Sequence, residues 1–305
     1  MAHREKPEAE KKKRQGSGRG TTALLVFLFM LGVGLLVYPS FADYWNSFTQ
    51  SRAIATYAQT VAQYDAEEYA RLWNEALEYN RELSEEGVVW IPDEERSEKY
   101  YSTLDVGGNG SMGYIEIPKI NVSLPVYHGI SERVLQTAIG HLDGTSLPVG
   151  SEFSQGYDQD ADFGSHCVVS GHRGLPSAKL FSELDKIVVG DTFYLNVLDQ
   201  TLTYVVDQIR IVLPTDVSDL IIEPGKDYCT LVTCTPYGIN THRMLVRGHR
   251  VENEKKIDIR ITADALQIDP IYVAPLIAVP IVLLLLIWMM FMTSGSRRHD
   301  DDDYE

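Results

Sequence analysis

Residues 230–248 read T-L-V-T-C-T-P-Y-G-I-N-T-H-R-M-L-V-R-G. Leu231, Val232 and Thr233 form a short apolar, β-branched run that ends on Cys234, and Pro236 and Gly238 then supply turn residues. From Arg243 to Arg247 a period-two pattern resumes and stops at Gly248, so the stretch predicts two strands joined by a loop. Such a hairpin brings Cys234 and Arg243 across its mouth. The thiolate is the reactive form of cysteine, and a fixed cation beside the sulfur favours it. A nucleophile at a strand end is therefore expected.

An acid/base partner has to come from elsewhere in the chain. Residues 168–174, V-V-S-G-H-R-G, form another β-branched run, which ends in the glycine-flanked His172, where little side-chain bulk would block access. His128 and His141 are alternatives, and Arg173, Arg247 and Arg250 compete with Arg243. For a lone arginine the ordinary role is a surface ion pair.

Five segments carry a resemblance: T-L-V-T-C-T-P-Y-G at 230–238, T-H-R-M-L-V-R-G at 241–248, S-G-H-R-G-L-P at 170–176, G-Y-I-E-I-P-K-I at 113–120 and G-H-L-D-G-T-S-L-P-V-G at 140–150. In these the chain resembles the sortases, specifically the class C or pilin-polymerising sortases. The resemblance implies a mainly β fold, the eight-stranded sortase β-barrel with short helices, an N-terminal helical extension and two transmembrane helices. It also implies Cys234 as nucleophile, His172 rather than His141 as the acid/base group, and Arg243 as the functional arginine. The implied reaction is transpeptidation: an LPXTG-like sorting signal is cleaved between Thr and Gly through a thioacyl intermediate and joined to a lysine amine of a pilin. No cofactor or metal is needed. Anchoring of surface proteins to a peptidoglycan amine is the alternative within the family, and hydrolysis by a cysteine protease the alternative outside it. Class C sortases cover the cleft with a lid carrying an Asp-Pro-aromatic anchor. That anchor is absent here, and Trp90, Pro92 and Asp93 in W-I-P-D are the nearest residues. Thr233, next to the nucleophile, is a further candidate substrate contact.

At 305 residues and 44% hydrophobic content the chain is long enough for one or two domains. Residues 21–38 are uncharged and mostly apolar, and residues 271–293, with Pro275 and Pro280, form a second such stretch. Lys11 to Arg14 precede the first, and Arg297 and Arg298 follow the second, so both termini are expected in the cytoplasm and the middle outside. A cleavable signal peptide, with a weak small-residue site at 39–42, is the rival reading of the N-terminus. Between the two stretches lie 18 basic and 35 acidic residues, a balance that argues against nucleic acid as a partner. The expected partners are membrane lipid, proteins with LPXTG-like signals and an amine acceptor.

The domain order expected is a cytoplasmic tail (1–20), a span (21–38), a helical extension (39–86), a lid or linker (87–110), the barrel (111–253), a juxtamembrane linker (254–270), a second span (271–293) and an acidic tail (294–305). In the extension, Ile54, Tyr57, Ala58, Val61 and Tyr64 form one helical stripe and Tyr69, Leu72, Ala76 and Leu83 another, with Asp65 as a cap between them. Strands are expected at 114–117, 120–126, 167–170, 192–197, 201–213, 229–233 and 243–251, with helical pieces at 131–139 and 178–184. Asp158, Asp160 and Asp162 alternate like calcium ligands, but Phe163 stands where the turn glycine belongs, so a solvated acidic loop is expected. Cys167 and Cys229 each lie five residues before a site residue. On parallel neighbouring strands they would sit level and could bridge; otherwise they are small buried hydrophobes.

Overall fold

The period-two runs of the second half close on themselves in the computed structural model, which describes residues 18–151 and 163–253. These fall into two units, residues 18–41 and 42–253. The second apolar stretch at 271–293, the linker at 254–270, the terminal tails and the aspartates at 158, 160 and 162 lie outside the described residues.

Helix α1, Gly18–Val61, is continuous across the expected boundary between span and extension and contains Pro39. Among the described residues it is the one helix long and apolar enough to cross a membrane, with a mean hydropathy of 2.3 in its most apolar window. Its Leu24, Phe27, Leu28, Leu31, Leu35 and Leu36 are all exposed, as a lipid-facing helix requires.

In the larger unit the chain turns at residues 62–65 and continues as helix α2, Ala66–Glu86. The carboxylate of Asp65 accepts the Glu68 N–H at 2.8 Å and so satisfies one of the free donors of the first turn. Leu72, Ala76 and Leu83 pack inward as the stripe predicts, Leu77, outside the stripe, is buried with them, and Tyr57 of α1 is buried as well. Between these apolar positions sits fully buried Asn80, a polar residue that the stripe did not announce. It donates to the carbonyls of Leu147 (3.0 Å) and Gly150 (2.8 Å) and accepts from Leu147 N–H (2.6 Å), tying the helix to an irregular stretch of backbone.

Residues 87–110, expected to be irregular, contain a nine-residue helix α3, Glu94–Ser102. The dense charge cluster that suggested a linker is a helix start. Asp93 caps it by accepting from Arg96 N–H at 2.9 Å, and Glu94 and Glu95 lie at the positive end of the helix dipole. Arg96 pairs with Glu86 at 2.7 Å and Lys99 with Glu82, so α3 runs along α2. Tyr100 is fully buried, its ring 5.0 Å from His128 and 5.6 Å from His141, and its hydroxyl accepts Gly129 N–H at 2.9 Å.

The strands are β1 (Ser111–Ile117), β2 (Val122–His128), β3 (Ile139–His141), β4 (Ser165–Ser170), β5 (Thr192–Val197), β6 (Gln200–Val212), β7 (Asp227–Thr235) and β8 (His242–Val251), with a short helix α4 at Glu132–Leu135. They form a closed barrel in the order β1-β2-β3-β4-β7-β8-β6-β5. Closure leaves no sheet edge unpaired. The pairs β2–β3 and β4–β7 are parallel and the others antiparallel. Seven strands coincide with predicted runs. The eighth, β3, has three residues, too few to display a period, and takes its order from its neighbours. The helical piece expected at 178–184 is reduced to a single tight turn at Leu184–Lys186.

Cys167 and Cys229 face each other in register on β4 and β7, both buried and both free thiols, so the level placement holds without a bridge. Next to them His166 is buried, its Nδ1–H donating to the Ile221 carbonyl at 2.8 Å and its Nε2 accepting from the Thr230 hydroxyl at 2.7 Å. Burial above all lowers its pKa to about 4.

Two stability predictions follow from these buried groups. Asn80→Ala leaves the Gly150 carbonyl and the Leu147 N–H without their side-chain partner, while the Leu147 carbonyl keeps Val149 N–H, and should cost about 3 kcal/mol, read as a lower denaturant midpoint. His166 is neutral in the fold, so its contribution is complete above the unfolded pKa of about 6.5 and is lost as pH falls toward about 4. Denaturation at pH 7 and pH 4.5 should show an acid loss of up to about 3 kcal/mol that is smaller in His166→Gln.

Candidate active site

The site begins with register. In the antiparallel ladder of β7 and β8, Cys234 stands opposite Arg243. In the parallel ladder of β4 and β7 the last pair is Ser170 with Val232, and the alignment continues past it. Gly171 N–H donates to the Val232 carbonyl at 3.0 Å, Thr233 Oγ1 donates to the Gly171 carbonyl at 2.7 Å, and Arg173 Nη1 donates to Thr235 Oγ1 at 3.2 Å. His172 is therefore level with Cys234, one strand away, on the side opposite Arg243. Neighbouring strands lie about 4.8 Å apart, so three residues scattered over seventy positions form one row.

Alternation places that row on the outer face. Val168, Val232 and Leu245 form a small apolar cluster with Leu142, Val212 and Leu220, separate from the main core. Moving from Val168, Val232 and Leu245 in steps of two leads to His172, Cys234 and Arg243. Cys229, Leu231 and Val246 have the opposite parity and fill the barrel. Cys234 is half-buried at the end of an apolar floor, whereas the other two cysteines are enclosed.

The same alternation corrects one expectation. Thr233 is 1% exposed and spends its hydroxyl on the Gly171 carbonyl, so it points away from the face that carries Cys234. Its place is to hold the backbone that delivers His172. The glycines around His172 also do more than leave room. A Cβ on Gly171 would lie 2.8 Å from the Phe181 ring and 2.9 Å from Ile139, and Gly174 has φ +80° with the Tyr237 ring 2.8 Å from where a Cβ would be. Close packing needs both.

The competing histidines and arginines are committed elsewhere. His141 is fully buried, with Nδ1 at the Tyr100 hydroxyl (3.0 Å) and Nε2 at the Ser146 carbonyl (2.8 Å), and His128 lies between the carbonyls of Gly110 and Thr103. Arg173 pairs with Asp185 at 2.8 Å, Arg247 forks onto Asp207 at 3.0 Å through two nitrogens, and Arg250 faces Asp227 at 3.6 Å. Among the described residues no carboxylate is within ion-pair distance of Arg243, whose Nη1 donates to the carbonyls of Asn240 (3.3 Å) and His242 (3.2 Å). That leaves guanidinium donors available at the mouth.

His172 has a different environment. Its side chain is 27% exposed, its carbonyl accepts from Phe181 N–H at 3.1 Å, and its Nε2 is enclosed without a hydrogen-bond partner among the described residues. The carboxylate of Glu132, at the start of α4, lies 3.7 Å from that nitrogen. No motif or spacing in the sequence pointed to Glu132.

The structure does not bring Trp90, Pro92 and Asp93 to this row. Val89 N–H donates to the Gly144 carbonyl at 3.2 Å, and two residues on Ser146 N–H donates to the carbonyl of His166, six residues before His172. Leu142 N–H, two residues before Gly144, donates to the carbonyl of Val168, four before His172, so at about 3.3 Å per strand residue the anchor lies roughly 13 to 20 Å along β4 from His172. Pro92 and Asp93 line a groove with Tyr79, Glu82 and Arg96, and Trp90 is 37% exposed. Asp93 caps α3 by accepting from Arg96 N–H.

A sortase domain model matches residues 115–251. A crystal structure of sortase C1 from Streptococcus agalactiae is 52% identical, with a TM-score of 0.62 over 67% of this chain and 100% of that one. Sortase C from Streptococcus pneumoniae is 43% identical, with a TM-score of 0.56 over 66% of this chain and 97% of that one. Among curated proteins, sortase D of Bacillus subtilis is 28% identical over 46% of this chain, and the match spans 64% of that relative's length. With the closed eight-stranded barrel and the shared row of Cys, His and Arg already in place, these likenesses lead to one conclusion: the chain belongs to the sortase family of cysteine transpeptidases.

Proposed function

We propose that the protein is a pilin-polymerising transpeptidase in which Cys234, His172 and Arg243 carry the chemistry. The observation that supports this most directly is the row itself, a half-buried thiol level with an imidazole on one neighbouring strand end and, on the other, a guanidinium with no carboxylate partner among the described residues. The Cys234 thiolate attacks the carbonyl of the Thr–Gly bond in an LPXTG-like signal. Charge develops on that oxygen, and the free donors of Arg243 are placed to receive it. His172 as imidazolium gives a proton to the departing glycine amine, leaving a thioester on Cys234. A lysine amine of the next subunit then attacks the thioester, forms the isopeptide bond and releases the thiol. The partly exposed Val232, two residues before Cys234 and seated on the buried Val168 and Leu245, suits the Leu-Pro half of the signal.

The preference for pilin over cell wall rests on likeness. The similar solved structures include several class C enzymes, and the Streptococcus pneumoniae protein is described in terms of pilin substrate specificity. Anchoring to a peptidoglycan amine is the alternative within the same chemistry. The apolar N-terminal helix supports a membrane-anchored enzyme, and the basic flanks at 11–14 and 297–298 support a two-span arrangement with the barrel outside the cell.

Four outcomes test this reading. Incubation with an LPXTG peptide should add the thioacyl mass to the wild type, to Cys167→Ala and to Cys229→Ala but not to Cys234→Ala; an adduct surviving on Cys234→Ala would place the chemistry on another thiol. Arg243→Lys should slow adduct formation by about 100-fold with less change in KM, because one oxyanion donor is worth roughly that factor. Trp90→Ala should leave the alkylation rate of Cys234 unchanged, and a severalfold rise would show that residues 87–110 do cover the thiol. Incubation with a candidate pilin, followed by mass spectrometry for lysine isopeptide links, separates polymerisation from wall anchoring and from hydrolysis.

A further inference from the structure

We propose that Glu132 is the positioning residue for His172: its carboxylate takes the Nε2–H of the ring and leaves Nδ1 for the sulfur and the departing amine. The inference rests on the functional reading of His172 above and extends it to a residue outside the Cys, His and Arg set.

The first observation concerns the ring nitrogen. Nε2 of His172 is shut off from solvent and has no hydrogen-bond partner among the described residues, an unusual condition for a buried polar atom. An imidazole that cycles through its charged form carries hydrogens on both nitrogens, so Nε2–H needs an acceptor in that state. Glu132 Oε2 is the carboxylate oxygen beside it, at 3.7 Å. Closing to a charge-assisted hydrogen bond of about 2.8 Å requires a movement of about 1 Å by a side chain that is 72% exposed and free to make it. Catalytic hydrogen bonds are often long before substrate binds and shorten afterwards.

The carboxylate also has a neighbour on its own helix. Its other oxygen, Oε1, accepts from Gln136 Nε2 at 3.4 Å, one turn further along the chain. Helix α4 packs against β3, and β3 is the neighbour of β4, the strand that delivers His172. Helix and histidine therefore share one support. A carboxylate on one ring nitrogen selects the tautomer, sets the ring plane and stabilises the imidazolium, while itself staying ionised. Arg243, on the far side of Cys234, cannot do this for the ring.

The test uses the full chain in detergent with an LPXTG peptide, following thioester formation and turnover. Glu132→Gln keeps the shape but weakens the acceptor, and should lower kcat about 10- to 100-fold with KM within about twofold. Glu132→Asp should recover most of the loss, and Glu132→Gln should add nothing in a His172→Ala background. Wild-type kcat in Glu132→Gln, or an equal fall with and without His172, would overturn the assignment while leaving the role of His172 intact. Wild-type turnover in His172→Ala would instead remove the functional reading and this inference with it.

Discussion

Everything at the site depends on the alignment of three strand ends. β7 carries the thiol, and the two strands beside it are held in register by unbroken ladders, parallel on the β4 side and antiparallel on the β8 side. A slip of one residue in either ladder would turn His172 or Arg243 to the other face and destroy the row. The hydrogen bonds that continue the β4 ladder beyond its last pair, through Gly171 and the Thr233 hydroxyl, are therefore as important to the site as its reactive groups. Thr233 acts on the chemistry only through the backbone it holds.

The helices contribute in a second way, by bracing the side of the barrel that a short strand leaves thin. β3 has three residues, yet β2 and β4 are linked through it. Around it, Asn80 of α2 satisfies the backbone at Leu147 and Gly150, and Tyr100 of α3 is packed by His128 and His141 and bonded to Gly129. Two histidines that compete with His172 on paper thus have structural duties. So do the competing arginines, each neutralised by an aspartate. What sets Arg243 apart is that its nearest acceptors are backbone carbonyls, which hold a guanidinium loosely enough to leave donors for an incoming oxygen.

Seven of the eight strands could be read from alternation, and the three residues of the row could be named from motifs, because both signals are local. A strand shows its period in a handful of residues, and T-L-V-T-C-T-P-Y-G or S-G-H-R-G is complete within one segment. Three things were not legible. β3 was too short to show a period. α3 was hidden because Asp93 in W-I-P-D reads equally well as part of an irregular segment and as a helix cap. Glu132, an ordinary residue near the start of a four-residue helix, becomes distinctive only beside an enclosed ring nitrogen that lies forty residues away in the chain.

By itself the sequence determined the strand periods, the apolar N-terminal helix, the acidic surface and the reactive residue types, because side-chain chemistry and short-range backbone preference are properties of the chain wherever it goes. The tertiary structure decided which residues stand level with which. Register across β4, β7 and β8 is set by long-range hydrogen bonds and by burial of one face, and neither exists until the barrel closes. That closure puts Cys234 between His172 and Arg243 and turns Thr233 inward, while Pro92 and Asp93 line a groove beside α2.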